Sequence, residues 1–307
     1  MDNSLLAVRD INHKYIVVER RSMIIVFYII IQATMEKRNL PSIYEEEFLK
    51  YLQEKGRNHH SYKMYTTIDI VNSTIEKEAL YLSNGDNWND RIDRENFNNN
   101  GLVKMNFGRC FSYSGSESVA MWMLYGGMKH KGAMIDFDKI SISEILTNTK
   151  HIGVGYFDND EFVTLKNLDK CDFEIQLIDV VYTETNHNIM IIRRTMGDKW
   201  EINVPLDFQK CILNGEKGKI IHKSKAWDYE QECRLIVSVK KEKLQDLQDY
   251  NKIQMVRIDL HSINLKNVRR IYAPNIGSGN KLKTEFQKAH PSNLINEVDW
   301  DLCHGCK

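Results

Sequence analysis

Two glutamates and an arginine occupy alternate positions near residue 230. Glu230, Glu232 and Arg234 directly precede an apolar run, residues 235–239, that is short and rich in β-branched side chains. Such a run predicts a buried strand. Because residues two apart in a strand point to the same face, we expect the three charged side chains to share one face at the mouth of the strand. Two fixed carboxylates beside an arginine suit acid–base chemistry or the stabilisation of positive charge.

The same pattern also fits a purely structural alternative. An edge strand with a solvated polar face would place Arg234 beside Glu232 as an ordinary ion pair. On charge pattern alone, both interpretations stay open.

The composition is that of a globular protein with no strong electrostatic preference for a partner. The 307 residues are 42% hydrophobic, and 42 lysines and arginines balance 42 aspartates and glutamates. Zero net charge gives no support for binding nucleic acid or an anionic membrane. The scattered cysteines predict a reducing, cytoplasmic location. Cys303 and Cys306 have C-x-x-C spacing, and whether they bind a metal is left open.

Three regions are predicted along the chain. Residues 1–61 form an N-terminal appendage with an apolar segment and a helix, residues 62–300 an α+β domain of catalytic type, and residues 301–307 a flexible tail that contains the two cysteines. The apolar segment, residues 23–31, is shorter than the roughly 20 residues that a membrane-spanning helix needs. No membrane partner is therefore predicted.

The order of short apolar runs and loops predicts an α+β fold. Most strands are expected to be short and antiparallel in a mixed sheet, with interleaved helices and long loops. The asparagine-rich residues 85–101 predict a long surface loop, and residues 242–250 predict a short amphipathic helix.

Three segments together resemble a bacterial family, domain of unknown function 2971. The resemblance extends from Tyr62 to Val298. The segments are Leu80-Tyr81-Leu82-Ser83 with Trp88-Asn89-Asp90, Cys110-Phe111-Ser112 with Met121-Trp122-x-x-Tyr125-Gly126 and Lys131-Gly132, and Lys223-x-x-x-Trp227-x-Tyr229-Glu230-x-Glu232-x-Arg234. The family usually has a proline where Arg91 stands, so the shape of that loop is left open.

Glu230-x-Glu232 also resembles the E-x-E element of ADP-ribosyltransferases. This likeness implies an enzyme that consumes NAD as a substrate, through an oxocarbenium-like transition state of the kind found in glycoside hydrolysis. Glu232 would stabilise that transition state, and Glu230 would orient or deprotonate the incoming nucleophile. The segment Lys63-Met64-Tyr65, where the transferase pattern has an arginine or histidine, lacks one.

Five residues are expected to bind the NAD. Trp122 and Tyr125, at helical spacing i and i+3, would form an aromatic wall. Arg109 or Arg234 would clamp the diphosphate, and Ser112 would position the ribose edge. Each has a structural alternative: core packing for the two aromatics, an ion pair for Arg109, and a hydrogen bond to the neighbouring backbone for Ser112.

Asn89, Asp90, Trp227 and Lys223 are expected to contact the substrate. Asn89 and Asp90 equally fit a turn or a helix cap. Lys223 equally fits a solvated surface position. The histidines show no metal-ligand spacing, and no metal is assigned.

Three functions follow from these residues. The first is an NAD-consuming ADP-ribosyltransferase or NAD glycohydrolase, with an unknown acceptor macromolecule; related families imply a toxin or phage-defence effector. The second is a magnesium-dependent nuclease that uses Glu230, Glu232 and Asp90 or Asp228 as ligands, with Lys223 or Lys225 at the phosphate. The third is a non-catalytic module that senses a nucleotide or a peptide.

Overall fold

The structure is a computed structural model of the chain. It describes residues 5–9, 15–19, 49–50, 52–88, 90–97, 103–115, 118–125, 132–183, 191–192, 202–203, 220–260, 268–272 and 298–299. The predicted α+β class is confirmed, because a large and mostly antiparallel sheet is interleaved with short helices. None of the described helices is both long and apolar enough to span a membrane.

The strands and helices are short. The strands are β1 (Leu5–Arg9), β2 (Tyr15–Glu19), β3 (Ser61–Thr67), β4 (Ala79–Ser83), β5 (Lys104–Ser112), β6 (Gly132–Asp138), β7 (His151–Asp158), β8 (Glu161–Asp169), β9 (Phe173–Asp179), β10 (Val181–Thr183), β11 (Ile191–Ile192), β12 (Ile202–Asn203), β13 (His222–Ser224), β14 (Glu232–Lys240), β15 (Met255–Asp259), β16 (Val268–Tyr272) and β17 (Val298–Asp299). The α-helices with complete bounds are α1 (Ile68–Glu76), α2 (Arg91–Phe97), α3 (Val119–Tyr125) and α4 (Lys139–Asn148), and 3₁₀ turns cover Lys225–Glu230, Lys241–Lys243 and Tyr250–Lys252. Residues 49–50 and 52–56 are helical as well.

Strand β14 lies inside the eleven-stranded main sheet. It pairs antiparallel with β5 on one edge and with β9 on the other. All of its residues except the last are buried. The prediction of a buried strand is therefore confirmed, and the alternative of a solvated edge strand is wrong.

The other edge of β5 is shared by two strands, and the sheet divides there. Ser112 pairs with Lys63 of β3, and Gly108 pairs with Ser83 of β4. One branch continues through β3, β6, β16 and β17, and the other through β4, β15, β7 and β8. Residues 109–111 of β5 therefore face the gap between the two branches.

The two faces of β14 contribute to different apolar clusters. Leu235, Val237 and Val239 belong to the main core. Ile236 belongs to a smaller cluster on the opposite face. Because strand residues alternate, Glu232 and Arg234 lie on the face of the smaller cluster.

Helix α2 lies where a long surface loop was predicted. Asp93 and Phe97 of this helix are buried, so the loop prediction is wrong for residues 91–97. Phe97 and Trp88 lie so close to β5 that a Cβ atom at Gly108 would be 2.7 Å from Phe97 Cζ and 3.2 Å from Trp88 Cζ2. The glycine thus allows the helix to approach the sheet.

Two other predictions have different outcomes. The prediction of an amphipathic helix at residues 242–250 is wrong. This segment runs from one 3₁₀ turn to the next and has other turns between them. Residues 52–60, at the end of the predicted appendage, contact β9: Gln53 donates to Gln176 at 2.7 Å, and His59 Nε2 lies 2.7 Å from Asp179 Oδ1. The apolar residues 23–31 and the cysteine tail lie outside the described residues.

Candidate functional site

Charged side chains cluster on the smaller-core face of β14, and each is at most 6% exposed. Asp93 comes from α2, Lys223 from β13, Glu230 from the 3₁₀ turn, and Glu232 and Arg234 from β14. Charges are buried at this density in proteins only when they are paired. Three carboxylates and two cations therefore form one mutually paired network.

A backbone turn at Gln231 brings the two glutamates together. Glu230 ends the 3₁₀ turn, Glu232 begins β14, and Gln231 between them has φ 43° and ψ 60°. This left-handed conformation is uncommon for a residue other than glycine. The prediction that both glutamates belong to one strand is wrong, but their side chains do converge.

Arg234 uses all of its hydrogen-bond donors within the protein. Nη1 and Nη2 donate to the two carboxylate oxygens of Asp93 at 2.8 and 2.6 Å, and Nε donates to Glu232 at 2.5 Å, which confirms the predicted ion pair. Nη1 also donates to the Ile220 carbonyl at 2.6 Å and Nη2 to Glu232 at 3.3 Å. Its guanidinium carbon lies 4.7 Å from the centre of the Trp88 ring. Because a guanidinium has five N–H groups, none is left for a ligand.

Lys223 bridges the two glutamates. Its Nζ lies 2.5 Å from Glu230 Oε2, 2.7 Å from Glu232 Oε2 and 3.5 Å from Asp93 Oδ2. The ammonium also lies 5.5 Å from the centre of the Trp227 ring. The alternative of a solvated lysine is therefore wrong.

The shared cations separate the pKa values of the two glutamates. Burial disfavours ionisation of Glu232, but Arg234 and Lys223 outweigh it and hold its pKa well below the usual range. For Glu230, burial and the neighbouring Glu232 raise the pKa, and Lys223 offsets this only in part. Divergent pKa values in one carboxyl pair are typical of acid–base sites, in which one member stays ionised and the other exchanges a proton.

Two tyrosines form hydrogen bonds with the pair, one with each glutamate. Tyr125 Oη donates to Glu230 Oε1 at 2.8 Å, and Tyr182 Oη accepts the backbone N–H of Glu232 at 2.9 Å. Burial and the nearby glutamates raise the pKa of both phenols, so both remain protonated.

A cleft of about 330 Å³ opens at this network, in the gap between β3 and β4. This volume lies within the range of small-molecule sites. Lys63 of β3 pairs with Ser112, which pairs with Glu232, so Lys63 and Glu232 stand about 10 Å apart at the backbone. The lining includes the cations Lys63, Arg109 and Lys223, the acids Asp90, Asp93, Glu230 and Glu232, and the aromatics Trp88, Tyr125 and Trp227.

Arg109 differs from Arg234 in its surroundings. It is half-buried in the cleft wall, and its Nε lies 2.9 Å from Met64 Sδ. No carboxylate of the described residues forms an ion pair with it, and burial lowers the pKa of its guanidinium. The alternative of a structural ion pair for Arg109 is not found in the described part of the chain.

The predicted aromatic wall is only half present in the cleft. Tyr125 lines the cleft, whereas Trp122 packs edge-on against Tyr65 with ring centres 5.0 Å apart. Ser112 is fully buried, and its hydroxyl accepts the Ser114 N–H at 3.4 Å. Trp122 and Ser112 are therefore not among the residues that line the cleft.

Asp90 both caps α2 and lines the cleft. Its Oδ1 accepts the Asp93 N–H at 3.3 Å at the start of α2, as the capping alternative predicted, and the residue also lines the cleft. Asn89 lies outside the described residues.

The carboxylates are arranged for pairing with side-chain cations. In the ranges that the structure describes, no group of three or more His, Cys, Asp and Glu side chains could hold a metal ion. Between Glu230 and Glu232, where the nuclease alternative would place magnesium, lies the Lys223 ammonium.

Asp93 and Tyr182 are site residues that the sequence did not reveal. Asp93 stands three residues after the capping Asp90, a spacing typical of the first turn of a helix, but the surrounding asparagines indicated a loop. Tyr182 carries no local signal, because its role depends on the contact between β10 and the start of β14.

Residues 121–235 match the model of a family described as a protein of unknown function, DUF2971. The match supports the family resemblance over a range that contains Trp122, Tyr125 and the segment from Lys223 to Arg234. No curated protein and no solved structure matches the chain. The family description carries no activity, so the chemistry has to come from the geometry.

Proposed function

We propose that this protein is an NAD-consuming enzyme of the ADP-ribosyltransferase or NAD glycohydrolase type, with NAD bound as a substrate in the cleft. One observation carries the proposal. Glu230 and Glu232 share the Lys223 ammonium at the cleft, and their pKa values are shifted in opposite directions.

Glu232 suits the role of the ionised carboxylate. When the bond from ribose C1′ to the nicotinamide nitrogen breaks, its electron pair goes to the pyridinium nitrogen, and positive charge develops on the ribose. A fixed carboxylate stabilises that charge without reorganising. Arg234 and Lys223 hold Glu232 ionised and in place.

Glu230 suits the role of general base. A carboxylate with a raised pKa accepts a proton more readily from the hydroxyl, amine or water that attacks C1′. The new bond to C1′ forms as that proton moves to Glu230. The acceptor is water in a glycohydrolase and a macromolecule in a transferase.

The remainder of the cleft suits a dinucleotide. Trp227 and Tyr125 offer aromatic surface for a base. Arg109 and Lys63 offer positive charge for the diphosphate. We assign the diphosphate to Arg109 and not to Arg234, because every donor of Arg234 is engaged.

The two alternatives have less support from the geometry. A magnesium nuclease would need Lys223 to leave the position between Glu230 and Glu232. A sensing module would not require the divergent pKa values of a paired acid and base. A toxin or phage-defence role is proposed on the family resemblance.

The experiment is to incubate the folded protein with NAD and to measure nicotinamide release. Release that is lost in Glu230→Gln and in Glu232→Gln supports the proposal, provided that both variants keep their circular dichroism spectra. Magnesium-dependent cleavage of plasmid or RNA without nicotinamide release would instead establish the nuclease.

A further inference from the structure

The Tyr125 hydroxyl contacts the carboxylate of Glu230, the general base of the proposed reaction. Tyr125 Oη lies 2.8 Å from Glu230 Oε1, and Lys223 Nζ lies 2.5 Å from Oε2. One donor therefore binds each oxygen of the carboxylate. Together they fix both its position and the orientation of its plane.

Helix α3 carries Tyr125 at its C-terminal end and is held in place by contacts with β3. Ser118 caps the helix by accepting the Met121 N–H at 3.3 Å, and its own N–H donates to the Tyr65 hydroxyl at 3.2 Å. Trp122 packs against the same Tyr65 ring. These contacts anchor the helix to β3, so the phenol reaches Glu230 from a fixed support.

We propose that Tyr125 is a positioning residue for the reaction: its hydroxyl orients the Glu230 carboxylate so that the carboxylate can accept the proton of the nucleophile. This inference rests on the proposed function, in which Glu230 is the general base. Tyr125 acts through Glu230 and does not itself transfer a proton, because burial raises the pKa of its phenol far from neutrality.

The hydrogen bond also acts on the pKa of Glu230, together with the larger effects of burial, Glu232 and Lys223. A donor to a carboxylate favours its ionised form, and the Tyr125 hydroxyl opposes the upward shift of the Glu230 pKa. Other charged and titratable groups act on Glu230 or on Tyr125 from each neighbouring element. They are Lys223 of β13, Glu232 of β14, Tyr182 of β10, Cys110 of β5 and Tyr229 of the same turn.

Tyr125→Phe removes the hydroxyl and keeps the ring. We expect kcat for nicotinamide release to fall about tenfold, the scale of a hydrogen bond to a charged group, while KM changes less than about twofold. The acid limb of the pH–rate profile should move to higher pH, because loss of the donor raises the pKa of the base. Tyr81→Phe is the matched control, since the Tyr81 hydroxyl is buried without a hydrogen-bond partner among the described residues.

A second readout does not depend on activity. The carboxyl carbon of Glu230, assigned with Glu230→Gln, is titrated by NMR in protein that carries ¹³C-labelled glutamate. The midpoint should rise by about one pH unit in Tyr125→Phe and stay unchanged in Tyr81→Phe. An unshifted midpoint overturns the inference even in an active enzyme. A shifted midpoint in a protein that releases no nicotinamide overturns the proposed function and leaves the coupling of Tyr125 to Glu230 standing.

Discussion

Asp93 binds both terminal nitrogens of Arg234, with its two carboxylate oxygens 2.8 and 2.6 Å from Nη1 and Nη2. The two residues are 141 positions apart in the chain. This fully buried pair joins α2 to the central strand β14. It also fixes Arg234, which in turn holds Glu232 in the wall of the cleft.

Replacing Asp93 should destabilise the protein strongly. Asp93→Asn leaves the buried Arg234 guanidinium with one ionised partner fewer, and breaking a buried pair typically costs about 3–5 kcal/mol. The free energy of unfolding, measured with urea, should fall by that order. Glu95→Gln on the same helix is the control, because Glu95 pairs with Arg91 at 2.8 Å on the exposed surface, where solvent screens the pair. It should change the free energy of unfolding far less than Asp93→Asn. Equal effects of the two variants would contradict the structure.

Neutralising the two glutamates of the site should change the stability of the protein to different extents. Glu232→Gln removes the one glutamate that binds both Arg234 and Lys223, so each buried cation loses an ionised partner, and the free energy of unfolding at pH 7 should fall by about 3 kcal/mol. Glu230→Gln removes the excess carboxylate and should be nearly neutral, because a glutamine can still accept from Lys223 and donate to the Tyr125 oxygen. The melting temperatures of both variants and of the wild type, measured at pH 7, test this difference.

Acid should destabilise the protein partly through Glu232. The pKa of Glu232 is lowered on folding, so near pH 4 to 5 this residue binds a proton in the unfolded chain and stays ionised in the folded protein. The free energy of unfolding therefore falls as pH drops below the ordinary pKa of a glutamate, about 4.3. In Glu232→Gln, the slope of the unfolding free energy against pH should be shallower, because about one proton fewer is taken up on unfolding. An unchanged slope would show that Arg234 and Lys223 do not hold Glu232 ionised.

Gly108 should not tolerate even a methyl group. In Gly108→Ala, the added Cβ would lie 2.7 Å from Phe97 Cζ, so α2 and the Trp88 ring would have to shift. A loss of about 1–3 kcal/mol in unfolding free energy is expected from such overpacking. Gly115→Ala is the control, because no atom of the described residues lies within 4 Å of a Cβ at that position. Similar melting temperatures for the two variants would rule out this close approach.

The sequence was sufficient for the fold class, for the buried strand after Arg234 and for the shared face of Glu232 and Arg234. These features depend on local apolar pattern and on spacing, which the chain displays directly. Lys223 and Tyr125 were also named, although the sequence did not show that both bind Glu230.

The remainder depends on contacts between distant segments. Asp93 lies in an asparagine-rich stretch whose composition favours loops. The packing of Phe97 against Gly108 and the pairing of Asp93 with Arg234 hold this stretch as a helix on the sheet. Tertiary packing commonly overrides weak local propensity in this way. Spacing one turn from Tyr125 predicts that Trp122 lines the cleft. Spacing on a helix does not reveal that the Trp122 ring packs against the Tyr65 ring instead.

The central claim is that the cleft binds NAD, and isothermal calorimetry of NAD with the folded protein tests it most directly. We predict saturable binding to one site per chain. Arg109→Gln should weaken it by about tenfold or more, because the diphosphate loses a charge-assisted contact. Arg257→Gln, which replaces an arginine paired with Asp259 at 2.7 Å outside the cleft, should bind NAD as the wild type does. No NAD binding by the folded wild-type protein, or equal affinity in Arg109→Gln, would contradict the account.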